Sequence, residues 1–296
     1  MKNRIIIFLL ILLMLPVFAA AADETSATPA VFEDVAGRFL AVGETPVIGD
    51  MSYKSDSLSI EISLVRENRS DVYIADIWVK DLGLLRRGFG GGRYRGKMQK
   101  IPVIAKNEGA ILALTGDNGH NFGKGVVFAN GKMLQKKTNN KRDVCVIYMD
   151  GRMEVFKGRT LTADKIKELD GKVWQSFLFG PGLLDEEGHA LTEFSTTGVN
   201  PANPRAVIGY YEPGHYCLVQ IDGRGTTSAI SGKNVGMKMA ELAAYMESLG
   251  CKAAYNLDGG QSALMWFNGK VISTPYKGGR GVGDIVYLTD STGDAK

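Results

Sequence analysis

The sequence is poor in the residues that most often build metal centres and covalent frameworks: it contains three cysteines and three histidines. His120, His189 and His215 are scattered, with no pair at the spacing of one helix face, so neither a zinc site nor any other cofactor is expected. Cys145, Cys217 and Cys251 each lie in or beside an apolar strand, which argues for buried thiols over a disulfide framework. A Cys217–Cys251 bond stays open as the alternative. An excess of one charge is lacking too: 35 Lys and Arg stand against 32 Asp and Glu, and two of the cations, Lys2 and Arg4, precede an apolar run. Without those two the chain is close to neutral, which argues against a nucleic-acid binder. At 45% apolar and 23% charged, the composition also argues against disorder.

Familiar catalytic signatures are missing as well. Gly260-Gln261-Ser262-Ala263-Leu264 fails the nucleophile-elbow pattern because Leu264 stands where a glycine is needed. The stretch from Gly91 to Met98 resembles a phosphate loop until Met98 replaces the hydroxyl that would hold a metal.

What is present begins with Lys2, Arg4, an apolar run from Ile5 to Phe18 and a small-residue stretch from Ala19 to Ala22. That order of charge, apolar run and small residues predicts a secretory signal over residues 1–22 and an exported mature protein. An uncleaved anchor is the alternative, since the run is barely long enough to cross a bilayer. Residues 23–44 read as a linker or N-terminal segment, and 45–290 as one domain without internal repeats.

Within that domain, alternation at Leu58, Ile60, Ile62 and Leu64 followed by Val72 to Val79 predicts a half-buried hairpin. Further hairpins are expected at Asn130-Gly131, Asp150-Gly151, near Glu187-Gly188, at Pro213-Gly214 and at Asn268-Gly269. A short helix fits Thr162 to Leu169. One main amphipathic helix is expected at about 234–249, where Val235, Met239, Leu242, Met246 and Leu249 share a face and Gly250 ends it. The fold class is therefore α+β, a single domain dominated by antiparallel or mixed sheet. The glycine-rich, basic stretch from Leu84 to Lys100 reads as a solvated loop, or as a lid that attracts anions. Thr115-Gly116-Asp117 and the polar residues to Gly123 read as a binding loop after a buried strand.

The densest chemistry falls in residues 255–284. A strand from Ala253 to Asp258 ends at Gly259 and Gly260, where the missing side chains let a ligand approach the Asp258 carboxylate. Asn256, Ser262, Arg280 and Asp284 follow within the same stretch. On residue type alone Asp258 serves equally well to brace the turn. Asp-Gly-Arg occurs at Asp150 and again at Asp222; a plain hairpin explains the first, so the tripeptide alone carries no function. Singly, Arg205 and Arg224 also fit surface ion pairs.

Taken together, NLDGGQSALMWFNGK, the later GGR with Asp284, NPRAVIGYY and VQIDGR resemble the phosphodiester glycosidase family, in consistent order over roughly Asp71 to Leu288. Thr115 stands where bacterial members tend to carry Asn, and Gln261 where Gly is usual. The resemblance implies an exported hydrolase that cleaves a sugar-1-phosphodiester, with an N-acetylglucosamine-type sugar, in envelope or extracellular polysaccharide metabolism. On that reading Asp258 is the principal catalytic carboxylate, and Asp222 and Asp117 are candidates for the second carboxyl role. Arg205, Arg224 and Arg280 hold the phosphate beside Gly259 and Gly260, Asn256 and Ser262 orient the substrate, and Asp284 orients one arginine. The alternative is a non-catalytic binder of phosphodiester-containing envelope glycans. No nucleic-acid partner is expected, nor stable membrane insertion after cleavage.

Overall fold

The computed structural model describes residues 28–34, 37–117, 125–138, 141–194 and 197–291. The expected signal over 1–22, the first residues of the expected linker and positions 118–123 of the expected binding loop lie outside the described residues. Among the described residues no helix is long and apolar enough to cross a membrane.

In chain order the strands are β1 (Val47–Ile48), β2 (Ser52–Lys54), β3 (Leu58–Glu67), β4 (Ser70–Val79), β5 (Leu85–Phe89), β6 (Leu112–Thr115), β7 (Val127–Ala129), β8 (Lys132–Gln135) and β9 (Val144–Tyr148). They continue as β10 (Met153–Phe156), β11 (Val173–Phe177), β12 (Arg205–Glu212), β13 (His215–Ile221), β14 (Ala253–Asn256), β15 (Met265–Phe267), β16 (Lys270–Val271) and β17 (Asp284–Leu288). The α-helices are α1 (Ile101–Asn107), α2 (Ala163–Leu169) and α3 (Met239–Ser248). A seven-stranded sheet runs β1-β2-β3-β4-β13-β12-β14 and a five-stranded one β16-β15-β6-β17-β5, with a three-stranded sheet β10-β9-β11 and the β7-β8 hairpin beside them. Every strand pair is antiparallel. The α+β class, mainly β, is as the hairpin signals predict.

The main core fills the space between the two large sheets. Leu58 and Ile60 of β3, Ile208 of β12 and Leu218 of β13 meet Leu114 of β6, Phe267 of β15 and Val286 of β17 there. Side chains alternate across a strand. Val207, Cys217, Val219 and Ile221 therefore face the other way and meet Met239, Leu242, Ala243 and Met246 of α3. On the far side α1 sets Ile101 and Ile104 against Ala113, Trp266 and Ile285. The layers run helix, sheet, sheet, helix, and each fully buried aliphatic side chain stabilises this order by about 1.5–3 kcal/mol.

Three expectations are corrected. The strand β4 is buried along nearly its whole length, while β3 alternates, so the hairpin is half-buried on one arm only. The cause is that β4 lies inside the sheet between β3 and β13. The main helix starts at Met239, not near 234. Asn234 is fully buried and its Oδ1 accepts from the Asp71 N–H at 2.8 Å, Gly236 takes φ +93, and Met237 exchanges backbone bonds with Asn203. Those bonds hold the segment extended against a helix's own demand for its backbone. Finally, the stretch after Leu84 is neither lid nor solvated loop at its start: β5 is the edge strand of the five-stranded sheet, and Arg87 is 1% exposed.

The three thiols are buried and free, with the Cys217 and Cys251 Sγ atoms 3.8 Å apart. Cys217 and Cys251 lie under α3 beside Gly209, where an added Cβ would stand 2.6 Å from Cys217 Sγ and 2.8 Å from Met246 Cε. Gly209→Ala should overpack this seam and lower the unfolding free energy by about 1–3 kcal/mol in a urea titration; unchanged stability would show that α3 does not sit this close.

Candidate active site

Strand register brings the sequence-predicted residues together. Arg205 opens β12 and pairs with Ile221 at the end of β13, which places Arg224 beside it. On the other flank Val207 pairs with Asn256, the last residue of β14, and the chain continues with Leu257 N–H on Ala206 O and Gly260 N–H on Pro204 O. One end of the seven-stranded sheet thus collects Arg205, Arg224 and Asp258. The five-stranded sheet meets it there: the Asp258 N–H donates to Gly116 O at 3.1 Å, directly after β6. Arg280 arrives on the loop before β17.

These residues line a cavity of about 280 Å³ that includes Asn203, Arg205, Arg224, Asp258, Gly259, Gly260, Gln261 and Arg280. Arg205 is 3% exposed, and its guanidinium donates only to carbonyls: Met237 O at 2.9 Å, Val199 O at 2.7 Å and Pro201 O at 2.6 Å. Burial, then the Arg224 charge nearby, lowers its pKa to about 10, so it stays cationic at neutral pH. Arg224 is exposed, donates through Nε to Asn203 Oδ1 at 3.0 Å and lies over the Tyr276 ring at 5.3 Å. Its place depends on Gly260, at φ +63, where a Cβ would come within 3.0 Å of Arg224 Nη2. Among the described residues neither arginine has a carboxylate within ion-pair distance.

Asp258 is 7% exposed and bound by Arg280, whose Nη2 lies 3.0 Å from Oδ2. Arg280 Nε donates to Ser262 Oγ at 2.5 Å, so the buried Ser262 fixes the cation. Burial raises the Asp258 pKa, while Ser262 and Arg280 oppose the shift. Among the described lining residues Asp258 is the one carboxylate.

The other sequence-predicted acids lie behind this wall. Asp222 is 1% exposed, and its carboxylate accepts from Thr274 N–H at 2.7 Å and Gln220 Nε2 at 3.3 Å, tying the Arg280-bearing loop to the end of β13. Asp117 and Asp284 share a buried cation: Arg87 Nε lies 2.6 Å from Asp284 Oδ2, and Arg87 Nη2 3.5 Å from Asp117 Oδ2. Asp284 thus orients an arginine, but Arg87 rather than one of the three in the cavity. Asp117 Oδ2 also accepts from Leu178 N–H at 2.6 Å. Burial pushes Asp117 up to about 7 and raises Asp284 too, with Arg87 opposing both. Asn256 is fully buried and donates to Gly180 O at 2.8 Å, away from the cavity lining.

Sequence reasoning did not single out Arg87, Asn203 or Gln261 as site residues. Arg87 sat within a basic, glycine-rich stretch whose composition suggested solvent. Asn203 was visible only as the first residue of Asn-Pro-Arg. Among the described residues no group of three His, Cys, Asp or Glu side chains is arranged to hold a metal ion.

A family model described as phosphodiester glycosidase matches residues 103–289. The chain is 29% identical over 132 residues to the SPbeta prophage-derived uncharacterized protein YomE of Bacillus subtilis (strain 168), a match that covers 44% of this chain and 19% of that protein. The chain therefore spans about 19% of the length of that curated relative. It superposes on the catalytic domain of zebrafish N-acetylglucosamine-1-phosphodiester alpha-N-acetylglucosaminidase, auto-inhibited by its pro-peptide, with TM-score 0.61 and 21% identity over 79% of this chain and 83% of that one. A hypothetical protein from Synechocystis gives TM-score 0.59 and 12% identity over 79% and 62% of the two chains. At these identities the two structures show a shared fold.

Buried carboxyls that are harder to ionise in the folded chain stabilise it below their unfolded pKa, and the contribution is lost as the pH rises through the folded one. For Asp222, raised from 3.8 to about 6 by burial, the loss falls between those values. Unfolding free energy measured from pH 4 to pH 6 should fall with rising pH, and Asp222→Asn should flatten the fall. An identical slope in the variant would contradict the assignment.

Proposed function

Because the chain belongs to the phosphodiester glycosidase family, we propose that it hydrolyses the bond between the anomeric carbon of a sugar and a phosphodiester oxygen. The observation that carries this reading is Arg205, a buried guanidinium held by carbonyl oxygens and facing a cavity it shares with Arg224. Two cations that have no carboxylate partner among the described residues favour an anionic ligand, and a phosphodiester supplies one.

An ordinary glycosidase needs a carboxylic acid to protonate a poor alkoxide leaving group, beside a second carboxylate. A departing phosphate monoester is already a stable anion, with a second pKa near 6. As the carbon–oxygen bond breaks, a second negative charge grows on the phosphate, and each guanidinium about 4 Å away attracts it by roughly 4 kcal/mol at an effective dielectric of 20. Because that attraction is stronger in the transition state than in the bound substrate, it lowers the barrier. One carboxylate then suffices. Asp258 acts on the sugar side, as nucleophile or as base for water, kept in place by Arg280 and Ser262. Asp222 and Asp117 serve as positioning residues for the Thr274 and Leu178 backbones, and Asn256 braces the turn at Gly180.

The sugar is of the N-acetylglucosamine type, supported by the substrate in the printed name of the zebrafish neighbour. The working place is outside the cytoplasm, supported by the charged, apolar and small-residue order of the first residues.

With a UDP-sugar or an N-acetylglucosamine-1-phosphodiester as substrate, the protein should release free sugar. Asp258→Asn should cut kcat by about a hundredfold or more while circular dichroism stays unchanged, and Arg205→Met should lower kcat/KM. Unchanged turnover by Asp258→Asn would remove that residue from the reaction; phosphodiester binding without sugar release would leave only a binding function.

A further inference from the structure

A larger cavity, about 660 Å³, lies away from Asp258 along the outer edge of β5. Its floor is held by hydrogen bonds that seal that edge: Asn130 accepts from Arg87 N–H at 2.9 Å and donates to Arg87 O at 3.0 Å, and Trp174 Nε1 donates to Leu85 O at 2.6 Å. The cavity is therefore built into the fold. Its size falls in the range of ligand pockets.

Two features of its walls define a ligand. The first is aromatic: Phe89 and Tyr94 stand 5.7 Å apart at 73°, across from Trp174. The two rings pack edge to face, so together they present angled apolar surface suited to the C–H face of a sugar ring and no parallel slot for a flat base. The second is positive charge. Arg86 is 8% exposed, and its contacts, Gly83 O at 3.5 Å and the Tyr287 hydroxyl, are uncharged. Among the described residues Arg86 has no carboxylate within ion-pair distance. Lys132 adds an exposed ammonium to the lining. The acid on the lining, Asp81, is engaged by the Gly83 N–H at 2.6 Å. A buried guanidinium with unused donors beside aromatic rings is suited to a planar anion carried on an apolar-faced ring.

We propose that this cavity is a second binding site, for a sugar ring that bears a phosphate or a carboxylate. The ring packs in the corner of Phe89 and Tyr94 and its anionic group pairs with Arg86 and Lys132. The assignment stands apart from the reading of the Asp258 cavity. Arg87 lies over the Phe89 ring at 5.4 Å, but its charge is taken up by Asp117 and Asp284, so the ligand's anionic group is left to Arg86 and Lys132.

The test uses the full chain titrated with glucose 6-phosphate and with glucuronic acid, followed by calorimetry, with methyl glucoside as the neutral control. Neither anion carries its charge on the anomeric carbon. Saturable binding of at least one anionic sugar is expected, with methyl glucoside at least about tenfold weaker, and whichever anion binds identifies the group. Arg86→Gln and Lys132→Glu should each weaken binding by about tenfold or more, while Arg280→Gln in the other cavity leaves it unchanged. The exposed Lys132 keeps the test decisive if Arg86→Gln does not fold. Absence of binding, affinity unaltered by both substitutions, loss on Arg280→Gln, or tighter binding of uridine 5′-phosphate than of either sugar would each overturn the proposal.

Discussion

A buried guanidinium that answers to carbonyl oxygens instead of a carboxylate is the constraint on which the rest of this structure turns. Arg205 is almost wholly withdrawn from water, and desolvating a cation costs several kcal/mol unless its donors are satisfied. Met237, Val199 and Pro201 satisfy them without cancelling the charge. That arrangement requires the chain on both sides of Arg205 to be held tightly. The carbonyls come from two segments outside the α-helices and the regular strands, one of them closing a 3-10 turn at Val199, and the pairing of Met237 with Asn203 locks the other against the start of β12. The late start of α3 follows from the same demand.

The molecule divides its arginines between two tasks. Arg87 spends its charge inside the protein on Asp117 and Asp284, where it permits two carboxylates to be buried a short way from Asp258. Arg205 and Arg224 keep theirs for the cavity. Arg280 stands between, bonded to Asp258 and Ser262 yet with 47% of its side chain exposed. Among the described residues such sorting leaves one carboxylate facing three guanidinium groups, the balance expected where the leaving group, rather than the sugar, carries the negative charge.

Much of this was legible in the sequence because hairpins and glycines are local signals. Asn130-Gly131, Asp150-Gly151, Pro213-Gly214 and Asn268-Gly269 each join adjacent antiparallel strands. The cluster of Arg205, Arg224, Asp258 and Arg280 was reachable through family resemblance, although its geometry comes from register, which no short window encodes. Burial was the harder quantity. Asp222, Asn256 and Asp117 have the residue types of a catalytic site, but each is turned toward a backbone partner by contacts distant in sequence. Arg87 was obscured for the opposite reason: its neighbours in sequence are basic residues and glycines, while its neighbours in space are acids from β17 and from just after β6.

The account's central claim is that the cations take up charge on the phosphate while the sugar's own carbon–oxygen bond breaks. Hydrolysis of a glycosyl phosphodiester in ¹⁸O-labelled water, followed by ³¹P NMR, reads which bond is cut. The account predicts a phosphate monoester with no isotope shift, since water attacks carbon. Label in the phosphate would mean attack at phosphorus, and would contradict it.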